Sequence, residues 1–265
     1  LQVQNSSDTF YVYGAEWQFG NEEATGRTRF ARAPRAKYEG FEYNVTTATY
    51  SCVEYGLQVM VDDSEQANAD RPLDPLQDGA LSVRTQLMSA YHARLAALLT
   101  DSASTFSSYT SGAAPAVNEV VCAMGKPEWY DLIQNADLID RVKYTGGGGA
   151  AVTMEAAAQY LQVDRVVVVD QTMNTSKDGQ TFAAKEAWTA NVIGFYSVPK
   201  SRPALKAPGL GFTAIWSRGN SGDAATGMKM LRYRDESRNS TIVRGNHHTD
   251  EKVSQAAAGY IIPGA

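Results

Sequence analysis

The stretch DPLQDGALSVRTQLMSAYHARLAALL, residues 74–99, carries the strongest structural pattern in this sequence. Apolar side chains recur in it every three or four positions, at Leu76, Ala80, Val83, Leu87, Tyr91, Leu95 and Leu98. This spacing predicts an amphipathic helix of about seven turns. Asp74 suits the N-cap, Pro75 suits the first helical position, and Gln77 stands at the spacing of a capping box. We expect a helix of this length to act as a spine against which other elements pack.

Upstream of the helix, β-type patterns flank a basic segment. Residues 8–17 are aromatic and β-rich, and residues 46–61 alternate with period two, so each stretch predicts a strand. Residues 20–43 have almost no aliphatic side chains and cannot form a core of their own. Residues 10–61 therefore resemble one long, loosely anchored hairpin. Its connecting segment carries five cations, Arg27, Arg29, Arg32, Arg35 and Lys37.

Three interpretations of this basic segment remain open from the residues alone. It is a solvated loop, a contact for a phosphate backbone, or a surface neutralised by another subunit. The third interpretation also explains the acidic side chains that precede the helix, Asp62, Asp63 and Glu65. We prefer it once the order of elements is considered, and we predict these eight residues as inter-subunit contacts.

Downstream of the helix, the sequence predicts a second module of mixed α and β structure. Residues 101–116 are small and polar, as in a linker. Strands are predicted at residues 120–124, 166–169 and 188–198, and helices at residues 127–134 and 153–161, the latter capped by Thr153. Four further strands are predicted at residues 211–217, 228–234, 239–244 and 253–262. The fold class is α+β.

The composition of the 265 residues bounds the function. The formal charge of −5 predicts no general attraction to nucleic acid or to anionic lipid. Cys52 and Cys122 are far apart and lack the spacing of a metal site. The longest strongly apolar run, residues 166–169, is far short of a membrane span, so we expect no membrane partner. Because the sequence begins at Leu1, we expect either a processed N-terminus or residues that precede it.

The sequence offers little for catalysis. His247, His248 and Asp250 are the one cluster that suggests a metal-dependent enzyme. Adjacent histidines on a strand point to opposite faces, so we favour a surface position for both. The glycine run at residues 146–149 lacks the lysine and hydroxyl of a phosphate loop. We predict no catalytic, cofactor-binding or metal residue, no cofactor, and no enzyme activity.

Several stretches resemble, in order and in wording, the major capsid proteins of tailed bacteriophages. They are ATYSCVEY at residues 48–55, ANAD at 67–70, PLD at 72–74, NADLIDRVKY at 135–144, VDRVVV at 163–168, GFTAIW at 211–216 and AGYII at 258–262. The segment from Pro199 to Pro208 runs into the sixth of these. The resemblance implies the Hong Kong 97 type fold, with an N-terminal arm, an extended loop, a peripheral domain and an axial domain.

This resemblance divides the chain into five parts. Residues 1–17 are the N-terminal arm, and residues 18–57 are the extended loop. Residues 58–117 begin the peripheral domain and contain the spine helix at 74–99. Residues 118–198 form the axial domain, and residues 199–265 return to the peripheral domain. Between Asp101 and Val117 the chain is shorter than the family pattern.

The resemblance also implies a function and partners. The subunit would assemble into hexamers and pentamers of an icosahedral head that encloses double-stranded DNA, which it touches loosely. A portal, a scaffold, a protease and a decoration protein are implied partners. The virion is the implied location, with assembly in the bacterial cytoplasm. An encapsulin, a cellular compartment shell of the same fold, is the alternative. We predict no covalent cross-link through Lys37, although some family members have one.

Overall fold

The fold joins two sheets through one long helix. The computed structural model describes residues 1–13, 34, 45–70, 73–101, 118–145, 152–177, 180–200, 209–218 and 227–264. The five cations between Arg27 and Lys37 lie outside these residues, as do the predicted linker and the glycine run.

The elements alternate along the chain as follows. The strands are β1 (Gln2–Val3), β2 (Ser7–Tyr13), β3 (Val45–Ser51), β4 (Val53–Asp62), β5 (Asn118–Gly125), β6 (Arg165–Val169), β7 (Thr172–Asn174), β8 (Ala184–Glu186), β9 (Val192–Pro199), β10 (Gly211–Trp216), β11 (Met228–Asp235), β12 (Ser240–Val253) and β13 (Gly259–Pro263). The helices are α1 (Asp63–Asn68), α2 (Pro75–Thr100), α3 (Lys126–Ile133), α4 (Ala136–Thr145) and α5 (Met154–Leu161). Short 3₁₀ turns occupy Glu236–Arg238 and Ala256–Ala258.

The first sheet is built around the long strand β12. Antiparallel β4 lies on one edge of β12, and β11 lies on the other edge because residues 240–247 pair with both strands at once. Beyond β11, the same edge pairs with β10 at residues 249–253. Strand β1 extends the sheet by parallel pairing with β10. The first residues of the predicted arm are therefore anchored in this sheet.

Helix α2 is the predicted spine and crosses one face of the first sheet. Asp74 caps it by accepting hydrogen bonds from the amides of Leu76 and Gln77, at 3.1 and 3.3 Å. The residues of its predicted apolar stripe are buried or half-buried, with Leu76 against Val61 and Val243 in one cluster. A second cluster joins Val83, Leu87 and Met228. Burial of such side chains typically contributes about 1.5–3 kcal/mol each.

The end of α2 reaches the second sheet, whose strand order is β13-β9-β5-β6. Ala96 and Leu99 of the helix pack with Trp188 and Tyr196 in the core of that sheet. The Tyr196 hydroxyl donates a hydrogen bond to the Leu99 carbonyl at 2.7 Å. On the other face, α3 and α5 cover Cys122, Met124 and Val166. The spine therefore belongs to both sheets.

The predicted hairpin forms where it can be described. Strands β2 and β3 pair antiparallel, from Ser7 opposite Ser51 to Tyr13 opposite Val45. Phe10 packs edge-on against Phe212 of the first sheet, with ring centroids 4.8 Å apart. The pairing ends at Cys52, whose amide donates a hydrogen bond to the Ser6 carbonyl. Strand β4 then continues into the first sheet.

Two of the predicted domain bounds cut across this pairing. The extended loop was bounded at residue 57, but that residue lies inside β4, and the break in pairing is at Cys52. Residues 199–265 were predicted to return to the peripheral domain, and within them β13 pairs with β9 of the second sheet. The predicted strand at 253–262 is two strands, because Ala256–Ala258 forms a turn between them. Patterns along the sequence do not reveal which sheet a strand joins, since pairing is non-local.

Candidate functional site

The predicted acidic side chains do lie together, at the junction of β4 and α1. Asp62 caps α1 by accepting bonds from the Ser64 amide and hydroxyl, at 2.8 and 2.7 Å. Glu65 completes the capping box by accepting from the Asp62 amide at 3.4 Å. The two bonds from Ser64 hold the pKa of Asp62 below its usual value.

Asp63 is already paired within its own chain. The Arg234 guanidinium binds both of its carboxylate oxygens, with a 2.6 Å bond from one terminal nitrogen to Oδ2. These hydrogen bonds lower the pKa of Asp63. Arg234 also contacts Glu236 at 3.3 Å. The predicted cationic partners, Arg27 to Lys37, lie outside the described residues, so their contact with this cluster stays a prediction.

The two adjacent histidines are buried, and the surface position predicted for them is wrong. Strand β12 runs on to Val253 instead of ending near residue 244, so both histidines lie in the middle of the sheet. Only 2% of His247 and 8% of His248 is exposed.

The two imidazoles face opposite sides of the sheet, as alternation along a strand requires. His247 lies 5.4 Å from the Tyr91 ring on the helix side, and His248 lies 5.3 Å from the Trp216 ring. Asp250 accepts a hydrogen bond from the Ser51 amide at 2.8 Å. The three side chains therefore do not converge on one ion. Among the described residues, no group of three or more histidine, cysteine, aspartate or glutamate side chains is arranged to hold a metal.

A polar cluster fixes α2 to the first sheet beside His247. The Arg94 guanidinium lies over the Tyr55 ring, 3.6 Å from its centroid, and 3.6 Å from the Glu251 carboxylate. The Tyr91 hydroxyl and the Thr213 hydroxyl share a hydrogen bond of 3.1 Å. The cluster fixes the position of the helix along the sheet, because ring stacking and ion pairing constrain register more than aliphatic contact does.

The second sheet contains a buried carboxylate that the sequence did not indicate. Glu128, in the first turn of α3, is only 5% exposed and accepts a 2.6 Å hydrogen bond from the Asn191 amide. A Cβ at Gly125 would lie 2.4 Å from Glu128 Oε2, so a larger residue there would displace this carboxylate. A glutamate in a first helical turn is ordinarily solvated, and its burial depends on a loop 63 residues away. Its role here is to hold the start of β9 against α3.

An open groove lies between α2 and β11, the edge strand of the first sheet. It encloses about 590 Å³ and has an apolar floor that includes Leu76, Ala80 and Val243. Arg84 of the helix and Arg232 of the strand flank it. Large apolar side chains around it are exposed, namely Leu73, Leu81, Met230 and Leu231. In the sequence, the clearest indication of this groove is Leu81, which interrupts the polar face of the helix.

No described helix has the length and apolarity that a membrane crossing requires. The described part of the chain offers packed interfaces between helix and sheet and exposed strands at the edges of the first sheet.

Comparison with known proteins gives no sequence relative. No family model matches the chain, and no curated protein matches it. Its structure is nevertheless similar to solved structures over its whole length. A phage-related protein from Bordetella bronchiseptica RB50 matches all of this chain and 88% of its own, with a TM-score of 0.64 and 18% identity.

Two further structures extend this likeness. The capsid structure of the cyanophage P-SCSP1u matches all of this chain and 85% of its own, with a TM-score of 0.58 and 13% identity. The SrpI encapsulin complex of Synechococcus elongatus PCC 7942 matches all of this chain and 84% of its own, with a TM-score of 0.53 and 10% identity. At such low identities the likeness shows the fold. The chain has the fold of phage capsid proteins, which this encapsulin shares.

Proposed function

We propose that this chain is a non-enzymatic shell subunit, the major capsid protein of a tailed bacteriophage with the Hong Kong 97 type fold. Copies assemble into hexamers and pentamers of an icosahedral head around double-stranded DNA. The observation that carries this proposal is the agreement in fold over 100% of this chain with a phage-related protein and a cyanophage capsid.

The two sheets support a division into capsid domains. The first sheet with α2 corresponds to the peripheral domain, and the second sheet with α3, α4 and α5 corresponds to the axial domain. Strand β13 belongs with the axial domain because it pairs with β9. The hairpin of β2 and β3 forms the base of the extended loop, whose remaining residues carry the cations from Arg27 to Lys37.

The spine gives such a subunit a physical advantage. Since α2 packs on both sheets, a force applied to one sheet is transmitted to the other through a rigid element. A shell holds each subunit at several interfaces, so contacts that are weak one by one combine into a stable assembly. Each interface between subunits can therefore be small and only weakly apolar.

The basic segment remains the proposed contact with a neighbouring subunit. Asp62 and Asp63 already use carboxylate oxygens within their own chain, as a helix cap and as a partner of Arg234. The acidic partners of the segment therefore have to include groups beyond these two. Glu65, exposed at the start of α1, accepts from the Asp62 amide through one carboxylate oxygen, and we propose its other oxygen as an acceptor for the segment.

Further partners follow from the proposed role. A portal, a scaffold or a protease would act during assembly in the bacterial cytoplasm, and a decoration protein would bind the finished virion. The net charge of −5 fits loose, non-specific contact with packaged DNA, because counterion release would make a cationic lining bind tightly. We propose no cofactor, and no cross-link through Lys37.

The encapsulin alternative is favoured by one observation, the full-length match to the SrpI complex. Its TM-score of 0.53 is lower than the 0.64 and 0.58 of the two phage structures. The contents of purified particles distinguish the two functions. Packaged DNA would support the phage assignment, whereas a stoichiometric protein cargo would support the compartment shell.

The metal-dependent enzyme alternative has little support from the geometry. His247 and His248 point away from each other, and each ring contacts an aromatic side chain. Metal analysis of the dialysed protein tests this alternative. A stoichiometric ion that is lost in the His247→Ala variant would support it.

The decisive experiment is size-exclusion chromatography followed by negative-stain electron microscopy of the purified protein. We expect rings of capsomers or closed shells. A strictly monomeric protein at every concentration, even when scaffold and protease are supplied, would overturn the proposed function.

A further inference from the structure

The outer edge of β11 is open to a further strand. Its inner edge pairs with β12 over its whole length, from Met228 opposite His247 to Asp235 opposite Ser240. No described residue pairs with its outer edge. Alternate residues of an antiparallel strand direct their backbone groups to each side, so about four residues of β11 present unpaired N–H and C=O groups there. Such an edge is a template for one more strand.

Helix α2 leaves the face of β11 uncovered beside this edge. It packs on β12 and leans toward β4, where a Cβ at Gly79 would lie only 2.6 Å from Val59 Cγ1. Two residues rotate a helix by about 200°, so Leu81 lies on the opposite flank, beside β11. Its side chain is 64% exposed. The groove between α2 and β11 is the space that this displacement of the helix leaves.

Two arginines without partners flank the groove. Arg84 and Arg232 line it, and neither has a hydrogen bond, ion pair or ring contact with another described residue. Met230 faces the helix, since a Cβ at Gly245 would lie 3.0 Å from its sulfur, and Arg232 follows two residues later on the same face. Among the described lining residues the one carboxylate is Asp74, which caps α2. The groove therefore combines an apolar floor with unpaired positive charge.

These charges select the kind of strand that fits the edge. Strand β11 carries three cations, Lys229, Arg232 and Arg234, and one acid, Asp235. Pairing this edge with the same edge of a second copy would bring cations against cations, which disfavours a symmetric pair. A nucleic acid presents a charged phosphate backbone and leaves the apolar floor unfilled. An extended polypeptide with both carboxylates and an apolar side chain satisfies the edge, the floor and the arginines together.

We propose that the outer edge of β11 binds an extended acidic segment of a partner protein, which adds a strand to the first sheet. Alternate side chains of the added strand face α2. An apolar side chain among them fills the groove beside Leu81, and the carboxylates on either side of it pair with Arg84 and Arg232. Backbone hydrogen bonds along the edge supply affinity, and the two ion pairs supply the preference for acidic segments.

This inference deepens the proposed function, because it assigns a binding site on the shell subunit to a partner protein. In a shell, many copies of the edge act together, so a partner with several such segments is retained even when each segment binds weakly. That consequence rests on the proposed function, whereas the binding of one segment to one chain does not.

Binding of a labelled peptide to the purified full chain tests the charge preference. The probe is fluorescein-labelled Thr-Glu-Thr-Leu-Thr-Glu-Thr, whose glutamates and leucine share one face of a strand, and fluorescence anisotropy gives its affinity. Arg84→Glu and Arg232→Glu each weaken binding roughly 5- to 10-fold. A peptide with lysine in place of both glutamates binds the double variant Arg84→Glu/Arg232→Glu better than it binds the unchanged protein.

Lys229→Glu is the matched control, because it reverses a charge on the other face of the same strand and changes the affinity much less. Circular dichroism checks that every variant is folded. Equal affinity of the acidic and the lysine peptide for the unchanged protein would overturn the inference.

Hydrogen–deuterium exchange tests the strand pairing. Saturation with the acidic peptide slows exchange of backbone amides within residues 228–235, because those on the outer edge gain acceptors. A version of the peptide that is N-methylated along its backbone keeps the side chains, lacks the donors and binds roughly 10-fold more weakly. Unchanged exchange in β11 at saturation would place the peptide elsewhere and overturn the inference.

The remaining outcomes separate other occupants and the proposed function. A single-stranded DNA oligonucleotide that displaces the peptide and depends more strongly on Arg84 and Arg232 would make the groove a phosphate site and overturn the inference. Self-association that is lost in the two arginine variants, without any binding of the peptide, would assign the edge to a second copy and also overturn it. Shells without peptide binding would overturn this inference alone, and peptide binding without shells under any condition would overturn the shell function alone.

Discussion

At Gly245, strand β12 comes so close to the spine that no side chain fits. A Cβ there would lie 2.8 Å from Leu87 Cδ1 and 2.9 Å from Val83 Cγ1. Both atoms belong to buried residues of α2. The close approach of strand and helix, and not a special backbone angle, is therefore what requires glycine at this position.

We predict that Gly245→Val destabilises the fold by about 1–3 kcal/mol, because the added atoms push the helix away from the sheet. Chemical denaturation monitored by fluorescence measures the change. The matched control is Gly56→Val on the neighbouring strand, where a Cβ meets only the Gly245 carbonyl oxygen at 3.6 Å. There valine suits an exposed strand, and we expect little loss. Equal losses in both variants would show that the helix does not press on Gly245.

The ion pair of Asp63 and Arg234 predicts a dependence of stability on pH. Hydrogen bonds from Arg234 lower the pKa of Asp63 in the folded protein. Its stabilising contribution is therefore complete above the unfolded value of about 3.9 and is lost as the pH falls through the lower folded value. We predict that Asp63→Asn loses less stability than the unchanged protein when the pH is lowered from about 5 to about 2. Thermal unfolding across that range measures the effect.

A control for this prediction is Asp131→Asn, which removes an exposed carboxylate that has no ion pair with another described residue. Its stability curve should run parallel to that of the unchanged protein. The interpretation of the ion pair is wrong if both variants respond to acid alike.

For single residues, roles that depend on neighbours in the sequence were predictable, and roles that depend on distant residues were not. Asp74 and Thr153 were recognised as caps because each binds amides two or three residues ahead. The partnership of Asp63 with Arg234 spans 171 residues, and no local pattern encodes it. The burial of His247 and His248 was missed for a related reason. The two histidines follow the end of the predicted strand, and polar residues in that position are expected to be solvated unless the strand continues.

Among the elements, α2 has the most demanding role because its last turn must join a second sheet. The Leu99 carbonyl is one of the final carbonyls of the helix and has no acceptor role within it. Tyr196, only 4% exposed, supplies the missing donor at 2.7 Å. Burial also raises the pKa of this phenol, so the donor is protonated at every physiological pH.

We predict that Tyr196→Phe destabilises the protein by about 1–2 kcal/mol, because it leaves the Leu99 carbonyl buried without a donor. Denaturant titration gives the free energy of unfolding. Tyr130→Phe, which removes a hydroxyl from a side chain that is 48% exposed, serves as the control and should change little. Comparable values for the two variants would mean that the bond adds nothing to the joint between helix and sheet.

The elements that sequence patterns predicted are those with an internal period. The apolar stripe of α2 and the alternation in β3 and β4 each repeat over several turns or residue pairs, so each was found with small errors at its ends. The short α1 and the hairpin of β7 and β8 were not predicted, because six and three residues are too few for a period to show. Helix α4 was missed although its sequence carried part of the family resemblance.

For the whole molecule, Cys122 reports on global unfolding. It is completely buried in β5, and burial raises the pKa of its thiol to about 12. A thiol reagent can therefore reach a reactive thiolate only when the second sheet opens. Cys52 is partly exposed at the break between β3 and β4.

We predict that Cys122 is labelled at the rate expected from the free energy of global unfolding, and that Cys52 is labelled much faster. Mass spectrometry of peptides after timed labelling measures both rates. Increasing denaturant should accelerate labelling of Cys122 far more steeply. Labelling of Cys122 at the rate of Cys52 in native buffer would contradict this and imply that the second sheet opens by itself.

The order of elements was enough to predict the α+β class and the spine, since each depends on patterns within one segment. The division into sheets was only partly predictable. Nothing in the sequence GYIIP of β13 distinguishes a partner in β9 from one in the first sheet, because both sheets offer apolar neighbours.

The order of the strands along the chain determines when each sheet can be completed during synthesis. In the first sheet, β1 and β4 are synthesised early, but their partners β10 and β12 follow much later. In the second sheet, β9 gains its outer partner only when β13 has been made. The first sheet can close only after β12 has been made, at residue 253, and the second only after β13 has been made, at residue 263. A chain that stops before residue 253 leaves both sheets incomplete, so that its apolar faces and strand edges are open to proteases. The interleaved order thus postpones the folding of both sheets until most of the described strands have been synthesised.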